Sequence, residues 1–183
     1  MKKYMRASIC LIYSFIRFSL IKIIKFGNFK FTLINLVSPF TTIDIGKKAK
    51  LTLGKLVKIR GGSKIILRKG AEVTIGDNTG LNYRCMITAH EKIIIGDNVQ
   101  IGPNVLIYDH DHDFRVENGL KQLKYKTSAV EIGNNVWIGA NVVILRGTKI
   151  GDNCVVAAGS VIKGEFKNDT IIIQKRNTKV YKC

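Results

Sequence analysis

Proline occurs only twice in 183 residues, tryptophan once and histidine three times, and 13 acidic side chains face 30 lysines and arginines. So little proline, beside 17 glycines and 46% hydrophobic residues, excludes a collagen-like or low-complexity chain and leaves one able to fill a core. The four cysteines (Cys10, Cys85, Cys154, Cys183) lack the spacing of metal and redox sites, and Cys85 and Cys154 read as reduced packing residues of a cytoplasmic protein. The net charge of +17 raises the question of nucleic acid. No recognition-helix pattern gathers those cations and no regularly spaced aromatics form a stacking platform, so nucleic acid is not an expected partner. Acid is missing altogether from the first forty residues, which hold Lys2, Lys3, Arg6, Arg17, Lys22, Lys25 and Lys30.

What the chain has in abundance is a six-residue beat. Aliphatic residues recur at Ile75, Leu81 and Ile87, at Ile95, Ile101 and Ile107, and at Ile132, Ile138, Ile144, Ile150, Val156 and Ile162. Four residues after most of them stands a small or β-branched one: Thr79, Cys85, Val99, Val105, Val136, Val142, Thr148, Cys154 or Ser160. Six fits neither a helix of 3.6 residues per turn nor a hairpin; it is one short face of a coiled ribbon. Three faces complete a coil, coils stack through parallel backbone hydrogen bonds, and each aliphatic residue points inward. Gly-Asp-Asn after Ile75, Ile95 and Ile150, and Gly-Asn-Asn after Ile132, supply corner residues that tolerate unusual backbone angles.

Over residues 41 to 179 these repeats resemble the hexapeptide-repeat acyltransferases, most of all the sugar and polysaccharide O-acetyltransferases. The resemblance implies an all-β, left-handed parallel β-helix, although the general rule for parallel crossovers favours the other hand. It also implies acetyl-CoA as co-substrate, no metal, and a homotrimer with active sites between subunits. Three segments are expected: a basic amphipathic lead at 1–28, the β-helix at 29–170 with an inserted loop at 108–129, and a basic tail at 171–183.

In the lead, Ile9, Ile12, Ile16, Ser19, Ile23 and Phe26 align along one side of a helix, with Arg6, Arg17 and Lys25 roughly opposite. Such a helix can lie in an anionic membrane interface. It can equally dock on the end of the prism and hide its open edge. A spanning helix would bury Arg17 near mid-bilayer at a cost of about 2.5–3.5 kcal/mol, and no convincing cleavage site follows for a signal peptide. From Phe29 alternation begins, which predicts a first strand.

Between Ile107 and Val130 the beat stops for a long excursion containing Asp109-His110-Asp111-His112-Asp113. Long loops inside compact repeats usually carry function. His90, the remaining histidine, lies about one coil earlier, so stacking can bring all three together. His-x-His on an extended chain points both rings the same way, and Asp109, Asp111 or Asp113 is available to orient one.

By the resemblance, a histidine nine residues after the proline of a Gly-Pro-Asn turn is the general base; here that is His112, counted from Pro103. Histidine suits the task because an imidazole of pKa near 6.5 accepts the proton of a hydroxyl and returns it to a thiolate. His110 is the candidate second imidazole. Asn82, Arg84, His90 and Asp111 are candidate acceptor-binding residues, His90 standing where the family often has an acid. Trp137, Ala140 and Ala158 fall at positions expected to line the groove for acetyl-CoA, with Lys163 and Lys179 near its phosphates. The C-terminal stretch Lys175-Arg176-Asn177-Thr178-Lys179 departs from the family's usual turn. Two other classes share such a prism: a zinc enzyme of the γ-carbonic anhydrase kind, whose histidine spacing does not match His-x-His, and a non-catalytic binding module.

Overall fold

In the computed structural model, which describes residues 2–175 and side chains from residue 8 onward, the chain begins with the helix Lys2–Ile24 and then winds as a parallel β-helix from Phe29 to Ile172. Three sheets of seven, seven and six strands form its faces. Every pairing along them is parallel, each strand bonding to those one coil above and below. This is the triangular architecture expected of the left-handed parallel β-helix.

Coil length varies, and one ladder of side chains measures it. Asp77 Oδ1 accepts the backbone N–H of Lys55, Asp97 that of Asp77, Asn134 that of Asp97, Asp152 that of Asn134 and Asn168 that of Asp152. The steps are 22, 20, 37, 18 and 16 residues. Only the coil of 18 is three faces of six. Earlier coils are longer because their first and third faces carry four-residue strands such as Lys50–Leu53, Lys64–Leu67 and Glu72–Ile75, and the coil of 37 contains the inserted loop.

The corner tripeptides divide their labour more sharply than flexibility alone requires. In Gly76-Asp77-Asn78 the asparagine takes the left-handed conformation, as do Asn98, Asn135 and Asn153 in the other copies. The glycine has no positive φ; a Cβ on Gly76 would lie 2.6 Å from the Gly96 carbonyl oxygen one coil away. Its role is close approach between coils, while the aspartate or asparagine between them satisfies the next coil's amide.

Inward columns fill the prism: Leu53, Ile75, Ile95, Ile132 and Ile150 on the first face, Ile59, Leu81, Ile101, Ile138 and Val156 on the second, and Ile65, Ile87, Ile107, Ile144 and Ile162 on the third, all buried. Burying each such side chain is worth about 1.5–3 kcal/mol. Longer strands add a second inward column, Leu51, Val73, Ile93 and Val130. The small residues of the repeat are buried at the corners, and the polar ones among them are bonded: Thr79 Oγ1 donates to the Gly96 carbonyl and accepts from Val99 N–H. Cys85 and Cys154 are free and buried there, and burial raises the Cys85 thiol pKa.

The helix docks on the first coil, as one of the two sequence readings anticipates, but not by its apolar stripe. Phe18 is fully buried against the rings of Phe29 and Phe31, both at 5.3 Å. Buried Ser14 meets the open strand edge, its Oγ 2.9 Å from Val37 N, and Arg17 donates to the Thr41 carbonyl at 2.9 Å. An uncovered coil end leaves backbone groups unpaired, so polar side chains are what this contact requires.

Candidate active site

The third-face strand Leu106–Tyr108 leads into the inserted loop, whose root is a hairpin of His110–His112 against Tyr125–Thr127 with a 3-10 turn, Gly119–Gln122, farther out. At the point of departure Asp109 is fully buried. Its carboxylate accepts three successive backbone amides of the neighbouring coil's corner, those of His90 at 2.8 Å, Glu91 at 2.7 Å and Lys92 at 2.8 Å. A buried carboxylate is tolerable only when it is hydrogen-bonded this fully.

The same carboxylate stands 3.1 Å from His110 Nδ1. A carboxylate has only acceptor capacity, so Nδ1 carries a proton, and when the ring is neutral Nε2 is its acceptor. The His90 ring lies 3.9 Å from that of His110 and 4.1 Å from that of Tyr125, and the His112 ring lies 4.7 Å from that of Tyr125. Three imidazoles and a phenol thus share one shelf. Burial, with the adjacent His110 second, pushes the His90 pKa down to about 4, so that ring is neutral at ordinary pH. His112 is the exposed member of the group.

Asp111 does not orient a ring: it pairs with Arg146 of the following coil and ties the hairpin down, while Asp113 meets Lys126 at 3.2 Å. Sequence reasoning passed over Tyr125 and Arg146. The Tyr-Lys-Thr alternation at the loop's exit, directly opposite His-Asp-His, is the signal that could have found the first.

The remaining candidates sit at a different corner. Asn82 and Arg84 turn the chain from the second face to the third; Asn82 Oδ1 accepts the Tyr83 amide, and Arg84 is in the left-handed conformation with its side chain beside Gly62. Trp137 projects from the second face, 60% exposed. Ala140, half-buried, and Ala158, exposed, follow on the same corner as Asn82 in lower coils. There the corner narrows to Gly102, Gly139, Ala140, Ala157 and Ala158, a strip nearly without side chains; a Cβ on Gly139 would lie 2.6 Å from Ala158 N. Lys163 is exposed beyond the third face, and Lys179 lies outside the described residues. Within one chain, then, the imidazole shelf occupies the corner between third and first faces, and the small-residue strip the corner between second and third. Among the described residues, no three His, Cys, Asp or Glu side chains form a group able to hold a metal ion. A hollow of about 630 Å³ runs along the first face past Ile94, Lys149 and Phe166, away from both.

Residues 129–164 match the family model for the bacterial transferase hexapeptide (six repeats). The galactoside O-acetyltransferase of Escherichia coli (strain K12) is 41% identical over 102 residues, 56% of this chain and 50% of that protein. Among solved structures, the maltose O-acetyltransferase of Clostridium difficile 630 superimposes with a TM-score of 0.53 at 34% identity, covering 70% of this chain and 63% of that one. The hexapeptide-repeat acetyltransferase of Vibrio cholerae O1 biovar eltor, solved in complex with acetyl coenzyme A, gives 0.52 at 32% identity, with 58% of each chain covered. The chain spans about half the length of the curated relatives it matches.

Proposed function

Starting from a chain whose repeats and relatives are those of the hexapeptide-repeat acetyltransferases, we propose that it transfers the acetyl group of acetyl-CoA to a hydroxyl of a sugar or surface-polysaccharide precursor. The observation that carries this reading is the hairpin shelf at the loop root, where one imidazole is oriented by a buried carboxylate and another stands open to an acceptor. We place the reaction in the cytoplasm, the compartment that supplies acetyl-CoA.

His112 is the proposed general base. It takes the proton of the acceptor hydroxyl as that oxygen attacks the thioester carbonyl; the tetrahedral intermediate collapses, the C–S bond breaks, and the imidazolium returns the proton to the departing CoA thiolate. No covalent enzyme intermediate is needed. His110, its Nδ1 held by Asp109, presents Nε2 as an acceptor for a hydroxyl of the sugar. His90, kept neutral, adds an uncharged wall beside it, and Asp111 with Arg146 fixes the hairpin's height above the next coil.

The strip Gly102, Gly139, Ala140, Ala157 and Ala158 fits the pantetheine arm, because only residues this small let an extended chain approach the backbone. Trp137 borders it, and Lys163 and Lys179 are the proposed phosphate contacts. Since shelf and strip lie on different corners of one prism, a homotrimer in which each subunit lays its shelf against its neighbour's strip completes the site. Asn82 and Arg84, on the strip's corner, then meet an acceptor held by the neighbour's histidines.

Thiol release from acetyl-CoA with a panel of sugars tests the chemistry: His112→Ala should lower turnover about 10²- to 10⁴-fold with the fold intact, and unchanged turnover would end the proposal. Coexpressing His112→Ala with Ala140→Trp tests the shared site. Each variant alone should be inactive, while mixed trimers recover activity because some sites draw shelf and strip from two intact surfaces.

A further inference from the structure

The docked helix leaves its apolar stripe facing outward. Ile9, Ile12, Ile16, Leu20 and Ile23 follow helical spacing on the side opposite Ser14 and Phe18, and each is more than half exposed, Ile23 reaching 74%. Phe26, in the turn that follows, is 88% exposed. Burial of apolar surface normally decides which side of a helix packs inward. Here the inward side is chosen by the strand edge, which needs the Ser14 hydroxyl and the Arg17 guanidinium, and the greasier side is left for another environment. A contiguous apolar face of this kind marks an interaction site.

Charge identifies the occupant. The helix, the turn after it and the first strand contribute seven lysines and arginines, and the first acidic residue of the chain is Asp44. Pairing this face with that of a second copy would bring two such positively charged ends together, whereas an anionic lipid surface satisfies both the charge and the apolar stripe. Spanning is a different matter: no helix among the described residues is long and apolar enough to cross a membrane. Arg17 also tethers this one to the β-helix through the Thr41 carbonyl.

We propose that the helix Lys2–Ile24 is at once the cap of the β-helix and an in-plane anchor, seating its Ile9–Ile23 stripe among the acyl chains of an anionic bilayer while its polar side holds the prism. The anchor stands independently of the transfer chemistry, and its test reads no activity. Full-length protein is incubated with phosphatidylglycerol-containing vesicles and with pure phosphatidylcholine vesicles, then floated on a density gradient. The expected result is flotation with the anionic vesicles, at least tenfold weaker partition to the neutral ones, and release on raising salt. An Ile16→Glu/Ile23→Glu variant, with unchanged circular dichroism and molecular mass, should lose at least tenfold in partition, because both positions are solvent-facing and contribute nothing to docking. Equal partition of the double variant and the parent, or equal partition to both vesicle types, would overturn the anchor. So would a protein that ignores vesicles but falls in mass on double substitution, since a second copy would then be what covers the stripe.

Discussion

The coils before the inserted loop and those after it solve the same packing problem differently. Before it, coils of 22 and 20 residues have four-residue strands with two inward side chains on the first and third faces, and left-handed corners occupied by Lys48, Leu56 and Arg84 as well as asparagine. After it, coils of 18 and 16 residues have two-residue strands, and the left-handed corners fall to Asn135, Asn141, Asn153 and Asp169. Broad early coils gain core, and tolerate imperfect corners. Narrow late coils have little core to spare, so their corners are the residues that pay least for a positive φ. The family model matches within this narrow part, 129–164, where the repeat is most regular.

The largest expected effect breaks the broad end alone. Phe18→Ala should cost about 3–5 kcal/mol of local stability, and hydrogen exchange should show the helix and first coil opening while the late coils stay protected, as in a solenoid with nearest-neighbour coupling. Uniform loss of protection would mean that the two regions form one cooperative unit. Next comes the joint between them. Asp109→Ala leaves three backbone amides without their acceptor and should lower stability by about 3 kcal/mol in denaturant titration, against about 1 kcal/mol for Asn134→Ala, which accepts a single amide.

Smaller effects sharpen the contrast at the corners. Leu56→Asn should stabilise the protein by about 1 kcal/mol by relieving a left-handed leucine, and Asn153→Leu should cost a similar amount; equal melting temperatures would deny that the corners differ. The last is a pH effect. His90 has a folded-state pKa of about 4, below its ordinary 6.5, so the unfolded chain binds more protons in that interval. Stability should therefore be fully present above pH 6.5 and decline as pH falls towards 4, and His90→Gln should flatten that part of the profile.

Much of the fold was legible because stacking repeats its demands: Ile95, Ile101 and Ile107 recur in sequence for the same reason that they stack in space. The helix was legible in its pattern but not in its orientation. Periodicity finds an apolar stripe, yet Ser14 and Arg17 face inward because a strand edge they could not see from sequence needs hydrogen bonds. At the site, the gathering of His90, His110 and His112 followed from the missing beats at both places. Which aspartate holds a ring did not, since Asp109, Asp111 and Asp113 are equivalent as letters and differ only in facing a trio of amides, an arginine or a lysine.

By itself the sequence determined a triangular coil of parallel strands and the position of its one long interruption, because hydrophobic spacing and corner chemistry are local and repeated. Only the tertiary structure decided that Asp109 is the buried keystone, that the histidines and the small-residue strip lie on separate corners, and that the helix turns its apolar stripe outward. The first and last depend on which backbone groups a neighbouring coil leaves unpaired and the second on how the faces stack, and no residue carries that information alone.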